Sequence, residues 1–158
     1  LRIVGVGDFD GDGKADILQR NAATGAAFIW FMNGAAIASA ASLPTVADVS
    51  WSIVGTGDFD GDGKADILWR NATTGQVNVW LMNGAAISSN QTVGIIKDAN
   101  LRIVGVGDFD GDGKADILQR NAATGAAFIW FMNGAAIASA ASAPTVSDLS
   151  WSVMPQPQ

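Results

Sequence analysis

Apolar and polar positions alternate in short runs cut by glycine and asparagine, and the pattern restarts every 50 residues. Arg2-Ile3-Val4-Gly5-Val6-Gly7 opens it, with Ser52 to Gly57 as its counterpart in the second copy. An Asp/Gly stretch leads to Ala15-Asp16-Ile17-Leu18-Gln19-Arg20. Thr24-Gly25 marks a turn. Ala26 to Met32, rich in Phe, Ile and Trp, is the strongest apolar run, and Asn33-Gly34 closes it with a tight-turn signal. A weaker run, around Ala35 to Ser39, precedes a looser Ser/Pro/Thr/Asp segment. β-Branched and aromatic residues set between Gly and Asn turns favour strands, so each copy predicts four. The Ala-rich run Ala35 to Ala41 has a second reading as a short helix, against which stands its lack of a cap or a charged face.

Residues 1–50 and 101–150 differ only at Leu43/Ala143, Ala47/Ser147 and Val49/Leu149. Residues 51–100 are a diverged copy. Residues 151–158 start a fourth: Trp151-Ser152-Val153 echoes Trp51-Ser52-Ile53 and reads as a partial first strand, a stub or a clasp. Four strands in about 50 residues is the size of a β-propeller blade. The expected fold is therefore all-β, with blades at 1–50, 51–100 and 101–150. A single blade cannot bury both faces of its sheet, so blades stack. Three fall short of the roughly 4 to 8 blades of closed propellers. The ring is then completed either by a longer chain or by self-association, with six blades in a dimer or nine in a trimer. An open wedge exposes apolar faces and should associate with itself. The near-identity of two copies fits recent duplication or a designed or excised self-assembling fragment, and the start at Leu1, in mid-pattern, reads as a mature form or a fragment.

Composition narrows the chemistry. All 15 acidic residues are Asp, and His, Cys, Glu and Tyr are absent. That removes disulfides and imidazole or thiolate metal sites, and it removes a His base, a Cys nucleophile and a Glu acid. Ser39, Ser42 and Thr45 have no paired base for a hydrolytic triad, and no enzyme is expected. A net charge of −6 with a pI near 4.2 argues against nucleic acid, which demands a basic surface. The densest apolar stretch, Ala26 to Met32, is far short of the about 20 residues of a membrane span. No signal peptide is visible.

The acids are concentrated. Asp8-Phe9-Asp10-Gly11-Asp12-Gly13-Lys14-Ala15-Asp16 recurs at Asp58 to Asp66 and Asp108 to Asp116, with carboxylates at loop positions 1, 3, 5 and 9. Four Asp in each of three loops account for 12 of the 15. Two unit charges about 4 Å apart repel by about 4 kcal/mol at an effective dielectric near 20. A hard, oxygen-seeking cation removes that cost, and Ca²⁺ tolerates 6 to 8 oxygens in a flexible loop where Mg²⁺ wants a strict octahedron. The expected ligands are Asp8, Asp10, Asp12 and Asp16, then Asp58, Asp60, Asp62 and Asp66, then Asp108, Asp110, Asp112 and Asp116. The backbone carbonyls of Lys14, Lys64 and Lys114 join them, for about three Ca²⁺ per chain. Three such ions add 3 × 2 = 6 charges and take −6 to zero. An EF-hand does not fit: position 12 is Gln19, Trp69 or Gln119 rather than Glu, and strands flank the loop.

DFDGDGKADIL, followed by Q/W-R-N, T-G and W-x-MNG, resembles the FG-GAP or VCBS-type repeat, which also builds the integrin α-chain propeller. The resemblance covers all 150 repeated residues. It implies a propeller, Ca²⁺ in the loop between the first two strands of each blade, and an extracellular or cell-surface setting. The family's ligand roles map onto the Asp and Lys residues just named. The leading expectation is a calcium-binding structural or interaction scaffold, with protein or glycan ligands as further partners. The alternative is a carbohydrate-binding propeller using Trp69, or the series Trp30, Trp80 and Trp130, as stacking platform. For that series an inter-blade core role is the competing reading, and Trp69, which stands where the other copies have Gln19 and Gln119, marks either a distinct surface or packing. Arg20, Arg70 and Arg120 are expected to pair with a loop Asp or an inter-blade carbonyl.

Overall fold

The computed structural model describes residues 1–153, and among them every regular element is a strand. The first antiparallel sheet contains β1 (Arg2–Gly7), β2 (Asp16–Arg20), β3 (Ala27–Asn33) and β4 (Ala36–Leu43). The second contains β5 (Trp51–Gly57), β6 (Asp66–Asn71), β7 (Gln76–Asn83) and β8 (Ala86–Ile95), and the third β9 (Leu101–Gly107), β10 (Asp116–Asn121), β11 (Ala127–Asn133) and β12 (Ala136–Ala143). Each sheet pairs its strands in chain order, so each 50-residue copy is a propeller-like blade.

The first three strands of each copy lie where the hydrophobic pattern predicts them, within a residue at each end. The fourth is longer than its sequence signal: β4 runs to Leu43 and β8 covers ten residues, and neither is helical. Its alanines add little packing. The backbone ladder onto β3 carries it instead, from Asn33↔Ala36 to Ala27↔Leu43. The expected partial strand over 151–158 is not seen at Trp151–Val153, which have no second strand to pair with as Trp51 pairs with Asn71. Residues 154–158 lie outside the described residues.

The core sits between blades. One cluster joins Phe9, Leu18, Ile29 and Leu43 of the first sheet to Ile53, Ile67, Trp69, Trp80 and Met82 of the second. The other joins Phe59, Leu68, Val77 and Val79 of the second to Ile103, Ile117 and Met132 of the third. Of the strands that open the blades, β5 neighbours β1 on one side and β9 on the other. Their approach requires glycine: a Cβ on Gly5 would lie 2.8 Å from Thr56 Cγ2, and one on Gly55 2.6 Å from Val106 Cγ2. Arg20 tethers the blades from the far end, donating to the carbonyls of Trp51 and Val46, and Arg70 does the same to Leu101 and Ile96. Of the two partners expected for these arginines, the carbonyls are the ones they meet.

Candidate metal centres

Each Asp loop bridges the first two strands of its blade. Asp8 organises the first: Oδ1 accepts the Gly11 and Asp12 amides at 2.7 and 3.1 Å, and Oδ2 accepts Gly13 at 2.8 Å. Gly11 and Gly13 adopt φ of +79° and +86°, which glycine reaches without strain. Asp10 accepts from Asp12, and Asp12 from Lys14. The pattern repeats at Asp58 and Asp108.

Loop position 9 has a task that its spacing alone does not disclose. Asp16 is fully buried and accepts the Phe9 amide on Oδ2 and the Met32 amide on Oδ1, both at 2.9 Å. It latches the loop to the third strand of its own blade, as do Asp66 and Asp116. Each oxygen still has a second lone pair for a cation.

Carboxylate oxygens of Asp8, Asp10 and Asp16 gather within 4.8 Å of one another, as do those of Asp108, Asp110 and Asp116. In the second loop the group is Asp58, Asp60 and Asp62. Oxygens on opposite sides of a Ca²⁺ stand about 4.8 Å apart, twice a bond of about 2.4 Å, so the donor set fits a hard cation in size and chemistry. Asp12 and Asp112 fall outside these groups, and so does Asp66. Lys64 and Lys114 direct their ammonium groups to Asn83 and Asn133 at 2.7 Å, while Lys14 pairs with Asp12 at 3.6 Å.

The electrostatics record the crowding. Lost hydration, then the charges of Asp12 and Asp16, raise the Asp10 carboxyl above its ordinary value, and Asp110 responds in the same way. Burial and the Asp62 charge raise Asp60. Asp66 is pushed up to about 7, chiefly by burial, against the pull of the Met82 and Phe59 amides. Asp108 goes the other way because the Gly113 amide stabilises its anion.

The first two loops also dock onto the blade that follows. Ala65 donates to the Asp8 carbonyl and Ala115 to the Asp58 carbonyl, both at 2.7 Å. Gly84 donates to Phe9 and Gly134 to Phe59. Phe9 and Phe59 are 0% exposed beneath that neighbour, whereas Phe109, in an identical loop with no following blade among the described residues, is 47% exposed.

Trp69 and the series Trp30, Trp80 and Trp130 do not form open platforms. Trp69 is 2% exposed, set 4.7 Å from Trp80 and under the Arg20 guanidinium at 5.0 Å. Trp80 is buried with it, and Trp30 and Trp130 are half-buried. The exchange from Gln19 to Trp69 therefore changes packing at the first junction. Sequence reasoning also missed Asn21, whose side chain accepts the Ala23 and Thr24 amides and shapes the turn ahead of Gly25. Its recurrence as Asn71 and Asn121 was the available signal.

A family model for the FG-GAP-like repeat matches residues 8–69 and again residues 58–119. Each match runs from the first Asp of one loop through the loop of the next copy. No curated protein matches the chain.

Proposed function

The chain belongs to the FG-GAP-like repeat family, and from that premise we propose that it is a non-enzymatic, calcium-stabilised scaffold whose loops act as cation-set clamps between blades. The observation that carries this reading is the double role of each loop. It gathers three carboxylates within 4.8 Å, and the first two loops present their own backbone carbonyls to the following blade. Asp8, Asp10 and Asp16 in the first loop, Asp58, Asp60 and Asp62 in the second, and Asp108, Asp110 and Asp116 in the third would hold the ion, which would supply the positive charge these carboxylates lack. A fixed loop then fixes the Asp8 and Phe9 carbonyls that receive the next blade.

The uncovered faces supply the assembly half of the proposal. Ile3 and Val6 on the first blade are 57% and 58% exposed, and Phe109 on the last is 47% exposed. A second or third copy would cover them in a closed ring. The family's usual extracellular setting supplies the calcium, and no helix among the described residues is long and apolar enough to cross a membrane.

Native mass spectrometry with and without Ca²⁺ tests both halves, because it counts ions and chains together. Three ions per chain and a dimer or trimer are expected. Binding to the folded state alone stabilises by RT ln(1 + [L]/Kd), about 2.7 kcal/mol per site at 100 times Kd, so chelation should lower the melting temperature sharply. Replacing Asp10, Asp60 and Asp110 with Ala should reproduce the chelated melt. A melt unchanged by exhaustive chelation would refute the cation role, and a monomer at all concentrations would refute ring completion.

A further inference from the structure

Asn-Gly opens the same hairpin turn in every blade, at Asn33-Gly34, Asn83-Gly84 and Asn133-Gly134. These turns join β3 to β4, β7 to β8 and β11 to β12. Gly34, Gly84 and Gly134 all sit at φ between +63° and +65°, so the three turns share one backbone shape. Residues 1–42 and 101–142 are also identical in sequence. Any difference in behaviour between the first and third turns is therefore a difference of surroundings.

The surroundings do differ. In the second and third blades the turn is seated on the preceding blade. Gly84 donates its amide to the Phe9 carbonyl at 2.9 Å, and Gly134 donates to Phe59 at 3.0 Å. Ala85 packs against the first core cluster, and Ala135 is buried. The first turn has no blade before it. Gly34 and Ala35 are exposed, and the Gly34 amide has no hydrogen-bond partner among the described residues. The side chains differ as well. Asn83 and Asn133 accept from Lys64 and Lys114 at 2.7 Å. Lys14 pairs with Asp12 instead, and the Asn33 side chain has no partner among the described residues.

Asn-Gly has a chemistry of its own. The glycine amide nitrogen, once deprotonated, attacks the asparagine Cγ. An N–C bond forms, the Cγ–Nδ2 bond breaks, and ammonia leaves with the proton that the nitrogen gave up. Water then opens the cyclic imide at either carbonyl. The product is aspartate or, with one more carbon in the backbone, isoaspartate. With no Cβ, glycine leaves its nitrogen unshielded and its peptide free to rotate into the ring geometry. Within a fold, a hydrogen bond on the amide proton and packing over the turn both oppose that rotation. Both are present at Gly84 and Gly134, and neither at Gly34. The lysine contacts act in two directions, since an ammonium on Oδ1 fixes the side chain yet polarises the carbonyl. The glycine amide is thus the deciding group.

We propose that Asn33 is the chain's site of spontaneous deamidation, with water as the co-reactant, and that the carbonyls of the preceding blade protect the other two Asn-Gly turns. Ring closure would extend that protection. Phe109 stands in the third loop where Phe9 and Phe59 stand in theirs, so the Phe109 carbonyl of a second copy would meet Gly34; this consequence rests on the assembly reading above. Deamidation before assembly would put a carboxylate beside that contact.

Peptide mapping by mass spectrometry tests the proposal on the unaltered protein, in saturating Ca²⁺ at mildly alkaline pH. Cleavage after Lys and Arg leaves the turns on three different peptides, 21–64, 71–97 and 121–158. The mass gain of an amide converted to an acid marks deamidation, and Asp-Gly steps that isomerise in the loops do not give it. In samples whose native mass shows one chain, Asn33 should convert at least about tenfold faster than Asn83 and Asn133, the factor that one hydrogen bond makes in a rate. In urea the Asn33 and Asn133 rates should converge, because their flanking sequences are identical. In a closed ring Asn33 should slow to the Asn133 rate. Equal rates at Asn33 and Asn133 in folded single chains overturn the proposal, as does a gap between them that persists in urea. Chains that never assemble count only against the ring reading.

Discussion

Phe59 and Phe109 occupy the same position in loops of identical sequence, so truncating each separates the contribution of the neighbouring blade from that of the loop. Phe59 is 0% exposed between the second and third blades, whereas Phe109 is 47% exposed. Removing a fully buried phenylalanine costs about 3–5 kcal/mol, including the cavity left behind. At Phe109 about half of the side-chain area is already in water, and no closed cavity forms. Scaling by area and dropping the cavity contribution leaves about 1–2 kcal/mol. For a chain of this size each kcal/mol moves the melting temperature by about 2–4 °C. Phe59→Ala should then lower it by at least about 6 °C and Phe109→Ala by about 2–8 °C, with the Phe59 loss the larger by about 1–4 kcal/mol in urea titrations. Phe9→Ala, also 0% exposed, should match Phe59→Ala. Both measurements belong at a concentration where mass shows one chain. Equal losses there would refute the claim that the next blade, and not the loop itself, buries this ring. In an assembled ring the Phe109 loss should climb toward that of Phe59.

Other consequences are open to measurement. Asp66 titrates near 7 in the folded, cation-free protein against an ordinary value of 3.8. The folded state therefore holds this proton more tightly than the unfolded one, and its stabilisation is complete below about pH 4 and lost as pH rises through 7. Urea midpoints in chelator should fall between pH 5 and pH 8, and Asp66→Asn should flatten that slope; a slope unchanged in the variant would count against the assignment. A Cβ on Gly75 would stand 2.0 Å from the Ile96 carbonyl oxygen, at φ +76°, whereas Gly63, at φ +84°, has nothing within 4 Å. Gly63→Ala should cost about 1–2 kcal/mol from the backbone alone, and Gly75→Ala clearly more by urea titration. Arg70 donates to Leu101 and Ile96 across the second junction. Bonds from a charged donor contribute about 1.5–3 kcal/mol each, so Arg70→Ala should cost at least about 3 kcal/mol and Arg70→Lys, which cannot span both carbonyls, should restore only part of it.

The sequence disclosed most where local chemistry decides the outcome. Strands β1 to β3 follow from β-branched and aromatic runs bounded by Gly and Asn, and the loops follow from Asp alternating with Gly. It disclosed less where a partner element decides. The full length of β4 depends on its ladder to β3, a long-range match that alanine does not encode. Asp16 looks like a fourth ligand by spacing, yet its first attachment is to Phe9 and Met32, and Met32 is a strand away. Trp69 reads from the sequence either as a distinct surface or as packing, and only the first blade lying over it decides for packing. The distinction between Phe9 and Phe109 has no local signal at all, because the two loops are the same string of residues.

The near-duplicate blades also pose a problem of kinetic sorting. The second blade folds against the face carrying Leu18, Ile29 and Leu43, and the third blade carries almost the same face in Leu118, Ile129 and Ala143. Of the three positions at which these copies differ, only Leu43, at 5% exposure, lies in that core; Ala47 and Val49 are exposed. Exchange of one blade for the other, within a chain or between chains, is thus opposed by a single leucine-to-alanine difference, about 2–5 kcal/mol, and by the short tether of residues 44–50 between β4 and β5. Domain-swapped misassembly is a characteristic failure of repeat proteins. In this one the fidelity of blade order rests largely on Leu43, a residue that contributes to no loop and no ligand site.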